Sequence, residues 1–148
     1  MEALLTAIVV WLSTNFGLPA SFDPPRIRFV SPTELNFPLK GSVGSEGRGK
    51  ISPAEASADI VSFYSNESKT IYLAEGWTGK TPAELSILVH EMVHHLQNVG
   101  QLKFECPQAR EELAYQAQDR WLHLFGHDLE QDFQLDGFSV LVKTKCFY

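Results

Sequence analysis

The sequence predicts an α+β fold in a single domain, and three observations carry that reading. A capped, amphipathic stretch runs from Thr81 to Gly100. Two β-branched and aromatic runs joined by a polar turn lie just before it. The length, 148 residues, suits one modest core. The expected order is an N-terminal helix, a short antiparallel hairpin, the capped helix, a second long helix and a tail, all within residues 1–148, with 60–125 as the core that bears the motif. The composition, 44% hydrophobic and 20% charged, is that of a globular chain rather than a disordered one. A net charge of −6 gives no electrostatic reason to expect nucleic acid or an anionic membrane as partner. No internal repeat is present.

The chain opens MEALLTAIVVWLSTNFGLPAS, in which Leu4 to Leu12 is apolar nearly all round. That run is shorter than the roughly 20 residues a bilayer span takes, so no membrane span is expected. An export signal would carry a basic residue ahead of its apolar run, whereas Glu2 stands here. Gly17, Leu18 and Pro19 read as a helix stop. The expectation is a buried helix over residues 3–16. After Pro24 and Pro25, RIRFV (26–30) alternates like a strand. Residues 41–50, GSVGSEGRGK, read as a flexible surface loop. Gly44, Gly49 and Lys50 match the start of a phosphate-binding loop, but Ile51 replaces the hydroxyl residue that reaches magnesium and Pro53 interrupts the helix that should follow. Nucleotide binding is set aside.

Ile60–Tyr64 and Thr70–Leu73, joined by the turn-forming SNES, predict the hairpin. In the next segment Thr81 suits an N-cap, Pro82 the first helical position, and Glu84 completes a capping box. Leu85, Leu88, Val89, Met92, Val93 and Leu96 recur at helical spacing until Asn98 and Gly100 end the pattern. A further helix is expected from Pro107 to Phe125, stopped by Gly126, and the tail DFQLDGFSVLVKTKCFY is apolar enough to pack back on the body. Two cysteines, Cys106 and Cys146, are too few for a disulfide scaffold but can form one bridge. Such a bridge would stabilise the fold by about 4 kcal/mol in the chain-entropy model. It would suit the periplasm or the cell exterior better than the cytosol.

The capped helix contains LVHEMVHHLQ (88–97), with three of the five histidines. His90, Glu91 and His94 spell H-E-x-x-H. Histidines four apart project from one helix face and can both offer a ring nitrogen to one zinc ion. Glu91 lies beside that face, where its carboxylate can take a proton from a metal-activated water and pass it to a leaving amine. His95 lies about 100° around the helix and reads as a surface or supporting residue. The plainer alternative is two packed histidines with carbonyl partners.

Hydrolytic zinc takes three protein ligands and keeps a position for water. The metzincin continuation would need Gly where Gln97 stands and His where Gly100 stands. The peptide deformylase pattern would need a cysteine where Glu75-Gly76 is followed by Trp77. A glutamate from the following helix remains, within REELAYQAQ. Here residues 60–125 resemble the gluzincin metallopeptidases, a branch of the zincins, and most of all their small uncharacterised bacterial members and the minigluzincins. That resemblance implies a zincin-like fold, one Zn2+, a peptide or protein substrate, and zinc-dependent peptide hydrolysis with Glu91 as general base. Its E-x-x-[A/S]-x pattern implies Glu111 as third ligand, with small Ala114 allowing close helix approach, and Glu112 as the alternative. An acid often found one turn after the ligand is replaced by Tyr115. The resemblance also implies a substrate-pairing edge strand, for which Thr70, Ile71, Tyr72 and Leu73 are the candidates. Tyr115, His123, His127 and Tyr148 are the candidates to steady the transition state or support the ligands. A competing function is an inactive zinc-holding binding or regulatory module, which a fourth protein ligand such as His123 or His127 would favour. A third is a metal-free structural protein.

Overall fold

The computed structural model describes residues 1–20, 23–31 and 62–146. The loop expected at 41–50, its partial phosphate-loop motif and Tyr148 lie outside the described residues. The class is α+β: helices plus a three-stranded mixed sheet.

Helix α1 (Glu2–Phe16) ends where Gly17 adopts φ 66 and returns its N–H to the Ser13 carbonyl. Glycine takes this left-handed turn without the Cβ penalty other residues meet. Strand β1 (Arg26–Val30) is followed by the hairpin of β2 (Ser62–Ser65) and β3 (Thr70–Ala74). The sheet order is β1-β3-β2. β2 pairs antiparallel with β3, Phe63 opposite Tyr72, as the hairpin pattern predicts. β1 pairs parallel with β3, Ile27 beside Ile71, so the sheet is mixed rather than purely antiparallel. β3 is therefore the central strand. The expectation that Thr70–Leu73 forms a substrate-pairing edge is corrected: both its backbone edges are already hydrogen-bonded. Among the described residues β2 is the edge on the side of the motif helix.

Helix α2 (Pro82–Val99) is the spine of the molecule. Thr81 caps it, accepting from the Glu84 N–H at 3.1 Å. The Glu84 carboxylate reaches back to the cap through the Thr81 hydroxyl at 3.4 Å, and it also takes the Thr78 N–H and hydroxyl and so ties down the preceding loop. Every residue from Ser86 to Gln97 is buried. Leu5, Ile8, Val9 and Leu12 of α1, Tyr64, Ile71 and Leu73 of the sheet, and Ala114 and Ala117 of the next helix share one core with it. Burying each large aliphatic side chain contributes about 1.5–3 kcal/mol.

Helix α3 (Pro107–His123) packs along α2, where its alanines permit close approach. It ends two residues before the predicted Phe125, and Leu124–Gly126 form a turn. The tail forms α4 (Leu129–Phe133) and α5 (Gly137–Thr144). α5 contacts α3 but leaves Phe138 73% exposed, along with Leu141 and Val142. The tail thus packs back less fully than its composition suggests, because its helix is too short to turn all its apolar positions inward. Cys106, the N-cap residue of α3, is bridged to Cys146 beyond α5. Among the described residues no helix is long and apolar enough to cross a membrane.

The bridge closes a loop with a sequence separation of 40. Replacing both cysteines with serine is expected to lower unfolding stability by about 4 kcal/mol at most. Urea denaturation of the double variant and of the reduced wild type should give matching midpoints, both below that of the oxidised protein.

Candidate metal centre

Helical geometry places His90 and His94 one turn apart on α2, with ring centroids 5.1 Å from each other. Glu111 enters from the second turn of α3. Its Oε2 lies 2.9 Å from His90 Nε2 and its Oε1 lies 3.1 Å from His94 Nε2. The ligating atoms of the three residues all lie within 4.8 Å of one another. Both imidazoles are buried, while the Glu111 side chain is 34% exposed, so the cluster meets solvent on the carboxylate side.

The other ring nitrogens decide the chemistry. His90 Nδ1 lies 2.9 Å from Gln118 Oε1, and His94 Nδ1 lies 3.0 Å from Gln97 Oε1. Each amide is oriented by what its NH2 end does. Gln118 Nε2 donates to Ser86 Oγ, which itself donates to the Ala83 carbonyl. Gln97 Nε2 donates to the Arg110 carbonyl at 3.1 Å. Both glutamines therefore present oxygen to the histidines, and both Nδ1 atoms carry hydrogen. The Nε2 atoms are left facing a carboxylate. A neutral Nε2 and a carboxylate oxygen are both acceptors, so the arrangement requires positive charge between them, a proton or a cation. Burial disfavours a charged His90, but the Glu111 carboxylate overrides it and pushes the pKa up to about 9. Burial likewise opposes charge on Glu111, and the His94 and His90 rings override it, holding its carboxyl well below the usual range. His90, His94 and Glu111 form a group that could hold a metal ion. Three converging acceptors, two of them locked as the metal-ready tautomer, fit that role.

Glu91 is buried beside this group and outside it, accepting from the Ser62 hydroxyl of β2 at 3.0 Å. Glu112, the alternative third ligand, turns outward and pairs with Lys145 at 3.6 Å. Adjacent helical positions are about 100° apart, so one glutamate faces the histidines and the other faces water. His95 is not a surface residue as expected but is buried, its Nδ1 accepting from the Tyr64 hydroxyl and its Nε2 donating to the Asp23 carbonyl. Burial lowers its pKa and outweighs the Asp23 carbonyl, which favours the charged ring, and these partners hold it away from the cluster. Tyr115 does not hold the His90 Nδ1, which goes to Gln118; its ring packs edge-on against His90, with centroids 4.7 Å apart. His123 is 60% exposed and 3.8 Å from Asp119, and His127 pairs with Asp132 at 3.0 Å. Neither joins the cluster.

Gln97, Gln118, Ser86 and Ser62 were not anticipated. A signal existed for the glutamines: Gln97 is three residues after His94, and Gln118 is seven after Glu111, so each shares a helix face with a ligand.

Residues 1–148 match a family described as a domain of unknown function, DUF6647. The chain belongs to that family. No curated protein and no solved structure matches it.

Gln97→Leu and Gln118→Leu should each weaken metal affinity about 10- to 100-fold, measured by chelator competition, while Glu112→Gln leaves it unchanged. The raised His90 pKa also sets a pH dependence. The protonated His90–Glu111 pair stabilises the metal-free protein fully below the unfolded histidine value, about 6.5, and is lost as pH rises through about 9. Thermal melts in chelator should therefore fall over that window. Metal affinity should rise across the same window, because fewer protons compete for Nε2.

Proposed function

We propose that this protein hydrolyses peptide bonds, using a zinc ion held by His90, His94 and Glu111 and Glu91 as general base. The observation that carries the reading is the pair of Nδ1–H imidazoles whose Nε2 atoms converge on one carboxylate, with a second, separate carboxylate buried alongside. Two imidazole nitrogens and a carboxylate oxygen are the donor set of hydrolytic zinc sites that keep a fourth position open. When bound, such an ion supplies a Lewis acid that polarises a carbonyl and acidifies water.

The chain's own groups account for the proton transfers. Glu91 takes a proton from the attacking water as its oxygen bonds to the carbonyl carbon. It then delivers that proton to the nitrogen as the C–N bond breaks, so the products are a carboxylate and an amine. The Ser62 hydroxyl, held on β2, orients the Glu91 carboxylate for both transfers. With β3 enclosed, Ser62–Ser65 is the strand along which an extended substrate would pair. Tyr115, whose ring rests on His90, is the side chain nearest the reacting centre among the described candidates for the oxyanion. The inactive-module reading calls for a fourth protein ligand, and His123 and His127 pair with aspartates instead.

Glu91→Gln should retain its metal by elemental analysis and lose about 10²- to 10⁴-fold in turnover of a mixed peptide library. Equal turnover in wild type and variant would refute the assignment.

A further inference from the structure

We infer that Arg110 forms a carboxylate-binding subsite about one helical turn beyond the metal centre; this rests on the peptidase reading and names its substrate class. His90, His94 and Asn98 recur every four residues and form one stripe along α2. β2 borders the stripe on one side, through Ser62 to Glu91 and Tyr64 to His95. α3 borders it on the other, through Glu111 and the Arg110 carbonyl. One turn beyond His94 the two borders join. Arg110 Nη2 donates to Asn66 Oδ1 at 2.9 Å, and Asn98 donates to the Asn66 carbonyl at 3.0 Å and to the Tyr64 hydroxyl. The two borders are therefore joined by a crosspiece, and the crosspiece is cationic.

A cavity of about 520 Å³ lies at this crosspiece, lined by Asn66, Gln97, Asn98, Gln101 and Arg110 among others. Glu105, exposed, is the one acid in the lining. Among the described residues no carboxylate pairs with Arg110, although the chain carries a net charge of −6. A guanidinium has five N–H donors in a planar fork that matches a carboxylate, and the bond to Asn66 uses one. An ammonium group would be repelled, so this subsite selects against a peptide N-terminus.

Helix rise sets the reach. Asn98 is about 6 Å along α2 from His94, at 1.5 Å per residue, and an extended peptide covers about 3.3 Å per residue. The metal would sit between His90 and His94, about two residues further back along α2, so Arg110 stands roughly two to three residues from the bond to be cut. The carboxylate it meets belongs either to the C-terminus of a peptide or to an acidic side chain at that place.

Binding to metal-loaded Glu91→Gln protein, followed by calorimetry, separates this inference from the catalytic one. The probes are acetylated tetra-alanine with a free or an amidated C-terminus, and the amidated peptide with Glu or Gln as its last residue. A carboxylate probe should bind about ten- to a hundredfold tighter than its neutral twin, and adding Arg110→Gln should abolish the difference. The pair that shows it identifies the source, terminal or side-chain. Equal binding of acid and neutral probes overturns the subsite, as does a preference that survives Arg110→Gln. If that variant does not fold, judged by its melt and metal affinity, the acid–neutral comparison on the Arg110 parent decides alone. Absence of peptide cleavage by wild type would count against hydrolysis and leave this binding comparison intact.

Discussion

A helix buried on every side must find a partner for each polar atom it carries, because an unmet polar group in a dry interior costs several kcal/mol. That constraint governs α2, whose twelve residues from Ser86 to Gln97 are all buried and include three histidines, a glutamate, a glutamine and a serine. The surrounding elements meet the demand one atom at a time. β2 brings Ser62 to Glu91 and Tyr64 to His95. α3 brings Gln118 to His90, and α2 supplies Gln97 to His94 from its own next turn. Only the two Nε2 atoms and the Glu111 carboxylate remain, and they face one another. The one place where neutral groups cannot close the network of α2 is the place that calls for a proton or a cation.

The elements that supply those partners are also the ones that hold α3 in position. Ala114 and Ala117 let α3 approach α2 closely enough for the Glu111 carboxylate to span both rings. The start of α3 is held by the Gln97 bond to the Arg110 carbonyl, by the Arg110 bond to Asn66 and by the bridge from Cys106 to Cys146. Glu111 follows Arg110 directly and lies five residues after Cys106. A ligand carried on a helix tethered at its end is preorganised, and affinity for a metal follows from how little the ligands must move.

Local patterns made part of this legible. A 3.6-residue period and a capping threonine suffice to place α2, and the four-residue spacing of His90 and His94 then sets both rings on one face wherever the helix packs. With only two cysteines, Cys106 had a single intramolecular partner. The hairpin's turn chemistry and alternation likewise located β2 and β3. The tail was less readable, since an eight-residue helix with apolar residues on several faces does not declare which it will bury.

What the sequence alone determined, then, is what depends on neighbours a few residues apart: the three long helices, the hairpin, the paired histidines and the glutamate beside them. Tertiary structure decided the choices that depend on how elements meet. It turned Glu111 inward and Glu112 to Lys145, buried His95 under Tyr64, moved the histidine support from Tyr115 to Gln118, and enclosed β3 by laying β1 parallel against it. Side-chain direction along one helix follows from backbone geometry, whereas the rotation of one helix about its axis against another is set by packing across the whole core.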